Sequence, residues 1–146
     1  MSVASEISDL LAARLAQIMI ANGYQTDIGA KVMLGRRRLD ESHIPCAILV
    51  EGDDTPKSEQ RDRVLLEVVY MLEGHAACDP DNPNVTAHKI VSDLKKAIWA
   101  DSAISGPNVK NLRYLGRQIQ PREDGQATVA AGIEISLEFA EQLSSP

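Results

Sequence analysis

Three side chains that commonly bind metals lie close together along the chain: His75, Cys78 and His88, with Asp79 beside them. A structural zinc site needs four ligands in tetrahedral geometry, usually supplied as closely spaced pairs of cysteines and histidines. The His-x2-Cys-x9-His spacing contains no such pairs. We therefore expect no metal site, and a small metal-dependent hydrolase that uses these residues is a less favoured alternative.

Acidic residues concentrate in segment 52–60, which contains Asp53, Asp54 and Glu59 and no apolar side chain apart from Pro56. Hard cations bind several oxygen ligands, but the ligand and glycine positions of an EF-hand loop are missing here. The composition instead predicts a solvated acidic loop that joins two strands and is mobile at its tip.

No other pattern in the sequence specifies catalysis. A nucleophilic serine or cysteine needs an adjacent base, and neither a Gly-x-Ser-x-Gly elbow nor a phosphate-binding glycine-rich motif occurs. Cys46 lies in an apolar stretch and is expected to be a small buried residue. We expect no catalytic, cofactor-binding or metal-binding residues and no enzymatic activity.

Positive charge concentrates at Arg36, Arg37 and Arg38, beside the end of a predicted strand. Arginine pairs well with carboxylates across an interface, so this cluster is a candidate subunit-interface anchor. A nucleic-acid-facing contact and a solvated turn are the alternatives.

Two more arginines fall on a predicted strand near the C-terminus. Alternation along that strand predicts Arg113 and Arg117 on one side, together with Leu115 and Ile119. Such a mixed face suggests contact with another molecule. The candidate interface residues are Arg36, Arg37, Arg38, Asp53, Asp54, Glu59, Arg113 and Arg117.

Composition and charge narrow the classes of partner. The 146 residues include 15 Lys and Arg against 21 Asp and Glu, a formal net charge of −6, which does not favour binding to DNA phosphates or anionic lipid. One Trp, three Tyr and one Phe are too few for a single-stranded nucleic-acid platform. Charges interrupt the N-terminal apolar positions, so we expect neither a signal peptide nor a membrane span, and two cysteines favour reduced thiols.

Apolar periodicity predicts the elements that position these residues. Apolar side chains at three- and four-residue spacing predict amphipathic helices over 7–22, closed by Gly23, and over 85–100. In the run 63–75, apolar residues occupy both the odd and the even positions. This pattern predicts a central strand that is covered on both faces at its middle. The tail 141–146 is expected to fray.

The strands and helices combine into a fold-class prediction. An Asp124-Gly125 turn predicts that the last two strands form a hairpin. We predict an α+β fold, a single domain over 1–146 with a mixed, mainly antiparallel β-sheet packed against two amphipathic α-helices. The predicted strands cover 31–35, 44–51, 63–75, 109–120 and 127–139.

An ordered series of residues follows the first predicted helix. In length, element order and the stretch Gly23-Tyr24-Gln25-Thr26-Asp27-Ile28-Gly29, the chain resembles the phage tail terminator or tail-completion family, the group of the lambda minor tail protein U. The series consists of Asn22 to Gly29, Val32, Gly35-Arg36, Leu39-Asp40, Ile44-Pro45 and Gly52-Asp53-Asp54.

The resemblance implies a structural virion assembly protein of a long-tailed phage or prophage. Such a protein forms a homohexameric ring that caps the completed tail tube, stops its polymerisation and provides the head-docking surface. The implied partners are other copies of the chain, the major tail tube protein and the head–tail connector proteins, with DNA only as cargo and no membrane. The implied location is the head-proximal end of the virion tail, with the host cytoplasm during assembly.

A closed ring needs two different complementary patches on each subunit. The cluster Arg36 to Arg38 and the acidic segment 52–60 are candidates of opposite charge. A head–tail connector or neck subunit shares the size and class of the chain and is an alternative. A third possibility is a ligand-binding or regulatory domain, which would form a compact dimer with an enclosed apolar pocket.

Overall fold

The sheet of this protein carries both of its long helices on one face. The computed structural model describes residues 2–35, 38–100, 104 and 109–146. Within these residues the strand order is β1-β2-β3-β5-β4; β1 and β2 are parallel and every other pair is antiparallel. The predicted α+β class with a mixed, mainly antiparallel sheet is therefore confirmed. The elements are α1 (Val3–Ala16), β1 (Val32–Leu34), β2 (Cys46–Gln60), β3 (Arg63–Ala77), α2 (Pro83–Trp99), β4 (Lys110–Ile119) and β5 (Thr128–Gln142).

The core lies between the helices and one face of the sheet. Every second residue of β3 from Val64 to Leu72, and of β5 from Val129 to Phe139, is buried against the helices, as period-two alternation requires. Gly74 permits this close packing, because a Cβ there would lie 2.6 Å from Ile90 Cγ2 and 2.7 Å from Ile28 Cδ1. β3 is central in the sheet, as predicted.

The opposite face of β3 is only half covered. Leu65, Glu67, Val69 and Met71 on that face are partly exposed, and no described helix packs across them. The prediction that β3 is covered on both faces at its middle is wrong, because charged Glu67 interrupts the second apolar row. A small separate cluster covers the face only beside β1, where Met33, Cys46 and Ile48 pack with Leu39 and Val50.

The first helix ends at Ala16 and not at the predicted residue 22. The chain turns there and forms a short 3-10 turn over Ile20–Asn22, which Gly23 closes at φ +91°. Gly29 packs on the end of the helix, since a Cβ at Gly29 would lie 2.5 Å from Leu15 O. The apolar periodicity continues past the helix because Ile18 is buried in the same core. The second helix matches its prediction to within two residues.

Asp93 of α2 holds the stretch 22–29, which carries the family resemblance. Its buried carboxylate accepts hydrogen bonds from Gln25 N at 3.0 and 3.1 Å, Thr26 N at 2.8 Å and Thr26 Oγ1 at 2.7 Å. Lys96 donates to Gly23 O at 3.1 Å, and its Nζ lies 4.6 Å from the ring centre of Tyr24. This stretch therefore joins the end of α1 to α2.

Segment 52–60 is a strand and not the predicted mobile loop. It is the distal part of β2 and pairs with β3 as a long hairpin, with register shifts after Glu51 and after Pro56. The prediction failed because residues 52–60 bury no side chain and are held in the sheet by pairing with β3, which supplies the buried apolar side chains of this part of the hairpin. Arg61, at φ +59°, closes the turn.

The C-terminal tail contacts the tip of that hairpin. Leu143 N donates to Asp62 O at 2.6 Å, and Ser144 Oγ donates to the Asp62 carboxylate at 2.5 Å. The tail is therefore attached to the hairpin through these bonds, and does not fray as predicted. At the other end of the sheet the predicted hairpin between β4 and β5 is present, with Gly125 at φ +81°.

Candidate subunit interface

The sheet has two edges on which candidate interface residues lie. β1 pairs only with residues 47–49 of β2, so no described strand covers the outer side of β2 from Val50 onward. We call residues 51–60 of β2 the acidic edge. At the other end of the sheet, β4 pairs with β5 on one side only, and we call residues 110–119 the basic edge.

The acidic edge has a strong excess of negative charge. Asp53, Asp54 and Glu59 are exposed and make no ion pair or side-chain hydrogen bond with any residue that the structure describes. Pro56 and the two register shifts interrupt the ladder here, and such features limit unselective pairing of an open edge with other strands. Specific recognition of this edge must therefore rely on side chains. The charged residues are Glu51, Asp53, Asp54, Lys57 and Glu59.

The basic edge carries Lys110, Arg113 and Arg117, but its two arginines point to opposite faces of the sheet. Arg113 donates to the Glu67 carboxylate at 3.2 Å on the open face, whereas Arg117 lies 3.0 Å from His88 Nδ1 on α2. The prediction that they share one side is wrong, because a bulge between Tyr114 and Gly116 adds a residue and reverses the alternation.

The same bulge separates the two apolar residues predicted to accompany these arginines. Leu115 lines a surface cavity of about 250 Å³ together with Met71 and Glu134, on the open face of the sheet. Ile119 packs against the core on the helix side. The bulge could not be read from the sequence, since the glycine at 116 fits a regular strand or a bulge equally well.

A network of charges crosses the open face. Lys57 Nζ lies 3.0 Å from the Glu67 carboxylate, which also accepts from Arg113, so Glu67 joins β2, β3 and β4. Asn111 donates to the Glu138 carboxylate beside it. Sequence reasoning missed Glu67, because a glutamate in an otherwise apolar run gives no sign of its partners.

Tyr114 is the main aromatic side chain on the basic edge. It is 42% exposed and packs edge-on against Trp99 at 6.1 Å between ring centres. Lys95 Nζ lies 4.7 Å from the centre of the Tyr114 ring. Because Lys95 and Trp99 belong to α2, Tyr114 lies on the helix side of the sheet.

A cleft lies where β1 ends and the acidic edge begins. Its volume is about 450 Å³, and Leu34, at 48% exposure, forms one wall. Leu49 and Val50 line it from β2 and Ser8 from α1, which places the cleft on the helix side of the sheet. Glu51 adds a carboxylate at its rim.

The arginine cluster predicted after β1 is described in part. Arg36 and Arg37 lie outside the described residues. Arg38 is exposed on the connection between β1 and β2, at the opposite end of the sheet from Arg113 and Arg117. These described arginines therefore do not form one continuous basic surface.

The candidate metal-binding residues have separate surroundings. His75 Nε2 lies 3.5 Å from the Glu73 carboxylate, Cys78 Sγ is 3.9 Å from Gln126 O, and His88 contacts Arg117. In the described part of the chain no group of three or more His, Cys, Asp or Glu residues is arranged to hold a metal ion. Cys46 is fully buried, as predicted, and burial raises the pKa of its thiol.

Comparison with models of known protein families finds no match, and comparison with curated protein sequences finds none either. Among the described residues, neither helix has the length and apolar character needed to cross a membrane.

Proposed function

We propose that this protein is a ring-forming structural subunit of a long-tailed phage or prophage, a tail terminator. In this proposal the ring caps the completed tail tube, stops its polymerisation and provides the surface to which the head docks. Its partners are other copies of the chain, the major tail tube protein and the head–tail connector, and DNA passes through the ring as cargo. It acts at the head-proximal end of the virion tail.

The observation that supports this proposal is the opposite charge of the two sheet edges. Four carboxylates and one lysine lie on the acidic edge, and three cations lie on the basic edge, which is at the other end of the same sheet. Contact between unlike edges is heterologous, and heterologous contacts produce rings when the rotation closes. Opposite charges favour that contact and guide the encounter.

The same charges disfavour a two-fold dimer through either edge. A two-fold contact brings each patch against its own copy, so Asp53 and Asp54 would face carboxylates and Lys110 would face cations. Like charges placed against each other across an interface are unfavourable. Head-to-tail assembly is therefore the arrangement that the charge distribution favours. A net charge of −6 also suits a channel that DNA crosses without binding.

Sedimentation velocity over a wide concentration range, with and without magnesium, tests the assembly. We expect a discrete species of about 95 kDa, six times the 15.9 kDa chain. A stable dimer at every concentration would contradict the ring. Electron microscopy of the same fractions should then reveal closed rings with a central channel.

Capping is tested on tail tube protein from the virus that encodes the chain. Tubes that elongate in the presence of the chain are expected to be shorter than tubes grown without it, with a ring at one end. Unchanged tube lengths at saturating ring concentration would contradict the terminator role. Rings that bind the connector but not the tube would instead favour a neck subunit.

A further inference from the structure

We infer that Tyr114 of one copy of the chain occupies the cleft beside Leu34 on the next copy. The inference rests on the head-to-tail assembly proposed above and identifies the joint that makes it. The occupant is thus a second copy of this chain, and the two surfaces are the basic edge around Tyr114 and the beginning of the acidic edge.

Both surfaces lie on the same side of the sheet. Tyr114 contacts Trp99 and Lys95 of α2, and the cleft includes Ser8 of α1 and Leu49, whose side chain belongs to the helix-side core. When two sheets meet edge to edge with their helices on the same side, these two features face each other. A residue on the open face, such as Leu115, would not reach the cleft.

The directions of the strands agree with this placement. β2 and β5 run one way along the sheet, and β3 and β4 run the other way. Placing the next copy beside β4 in the same orientation brings its β2 alongside in the antiparallel direction. Neighbouring subunits of a ring keep their orientation relative to the ring axis, so the joint meets the symmetry requirement.

The chemistry of the cleft suits a tyrosine. Leu34 and Leu49 provide apolar walls for the ring, while Ser8 and Glu51 offer oxygen atoms to the phenol hydroxyl. Tyrosine combines a large apolar area with one polar group and is enriched at interfaces. Trp99 supports Tyr114 from behind, and this contact limits the freedom that the ring loses on docking.

Charges on either side of the joint are complementary. Lys110, Arg113 and Arg117 flank Tyr114 along β4, and Asp53 and Asp54 follow Glu51 along β2. These carboxylates have no ion-pair partner within the described residues of their own chain. A neighbouring copy would supply the opposite charges.

Site-specific photo-crosslinking tests the joint directly. Benzoylphenylalanine at position 114 keeps an aromatic ring there, and irradiation of the concentrated full-length protein should produce intermolecular adducts. We expect peptide mapping to locate these adducts in segments containing Leu34 or Leu49 to Glu51. The control places the same residue at Val85, which is 48% exposed and belongs to α2 rather than to either edge, and should give at least tenfold fewer adducts. Absence of adducts, or adducts elsewhere, would overturn the inference.

Paired variants test whether the contact joins unlike surfaces. Tyr114→Ser and Leu34→Asp change exposed side chains, so each chain should fold, which thermal unfolding verifies. Each variant alone should lose the ring, because every joint needs both surfaces. An equimolar mixture should form a heterodimer of about 32 kDa through the one intact joint, twice the mass of one chain. Rings that persist in either variant would contradict the inference.

A charge variant and its matched control examine the flanking residues. Asp53→Lys with Asp54→Lys should weaken assembly by at least tenfold in dissociation constant. Asp81→Lys with Glu123→Lys gives the same change in net charge at exposed positions off both edges and should leave assembly unchanged. Equal effects of the two double variants would indicate a general charge effect and would overturn the role assigned to the acidic edge.

The outcomes separate this inference from the proposed function. If a six-subunit ring forms while the adducts map elsewhere, the joint is wrong and the ring proposal stands. If the adducts map to the cleft while the chain neither forms a six-subunit species nor caps tubes, the joint stands and the terminator role is wrong.

Discussion

Single side chains connect elements of this protein that the backbone leaves apart. Asp93 joins α2 to the turn after α1 through bonds from Gln25 and Thr26. Glu67 joins Lys57 on β2 to Arg113 on β4. The first connection is buried and the second is partly exposed, so we expect a much larger contribution to stability from Asp93.

Asp93→Ala should lower the free energy of unfolding by about 2–4 kcal/mol, because it leaves two backbone N–H groups and a hydroxyl without their acceptor at a buried site. Urea denaturation followed by circular dichroism measures this change. The control is Ser92→Ala, the neighbouring residue, which accepts only an exposed hydrogen bond at 3.4 Å from Gln25. That variant should stay within about 0.5 kcal/mol of the parent. Equal losses in both variants would contradict the special role of Asp93.

Tyr70 should make the fold sensitive to alkaline pH. Burial, with a smaller effect of Glu51, raises the pKa of Tyr70 from 10.0 to about 12. The unfolded chain loses this proton at lower pH than the folded chain. The contribution of Tyr70 is therefore complete below pH 10 and is lost as pH rises toward 12, by up to about 3 kcal/mol. Urea midpoints across this range should fall more steeply for the parent than for Tyr70→Phe. Parallel slopes would contradict the prediction.

The types of residue along the chain predicted which side chains are buried, but not which residues they bond to. The sequence predicted that Cys46 is buried, since its neighbours are apolar. It could not predict Asp93 as a buried acceptor, because an aspartate on a helix is usually exposed and its partners lie 67 and 68 positions away. Distant pairings of this kind depend on the packing of α1 against α2.

At the scale of elements, the hairpin of β2 and β3 differs most from its prediction. Apolar patterning located both helices, β1, β3 and β5, because each of them buries apolar side chains of its own, whereas β4 buries none and was located by the Asp124-Gly125 turn. Segment 52–60 buries no side chain and takes its order from β3 and from the tail at Asp62. Local sequence cannot report an element whose stability comes from its neighbour.

Gly52 is a tightly constrained position in the distal part of that hairpin. A Cβ there would lie 2.7 Å from Val69 O, so the backbone must shift at the register change after Glu51. We expect Gly52→Ala to lower the unfolding free energy by about 1–3 kcal/mol. Thermal unfolding measures the loss. Ser58→Ala, on the same exposed strand, is the control and should change stability by less than about 0.5 kcal/mol. A neutral Gly52→Ala would mean that the strands can separate here at little cost.

At the scale of the whole molecule, the distribution of charge matters more than its sum. The net charge of −6 could be read from the sequence, and it argued against binding to DNA phosphates. The placement of unlike charges at opposite edges of one sheet could not be read from the sequence, because it depends on the strand order β1-β2-β3-β5-β4. Asp53 and Arg113 are interface candidates by residue type, but their positions relative to each other depend on that strand order.

Salt should weaken the proposed assembly. Raising ionic strength from about 0.1 M to about 1 M shortens the screening length from about 10 Å to about 3 Å, which reduces attraction between the unlike edges. We expect the six-subunit species to dissociate over this range while circular dichroism of the chain stays constant. Sedimentation velocity at each salt concentration checks the prediction. An assembly that strengthens with salt would indicate a mainly apolar joint and little contribution from Asp53 and Asp54.

The bonds to Asp93 have a consequence for hydrogen exchange. The amides of Gln25 and Thr26 lie outside every helix and strand, where exchange with deuterium is usually fast. Because both donate to a buried carboxylate on α2, their exchange requires the turn around Gln25 and Thr26 to detach from α2. These two loop protons should thus exchange far more slowly than those of exposed loops, and their rate would report the detachment of this turn.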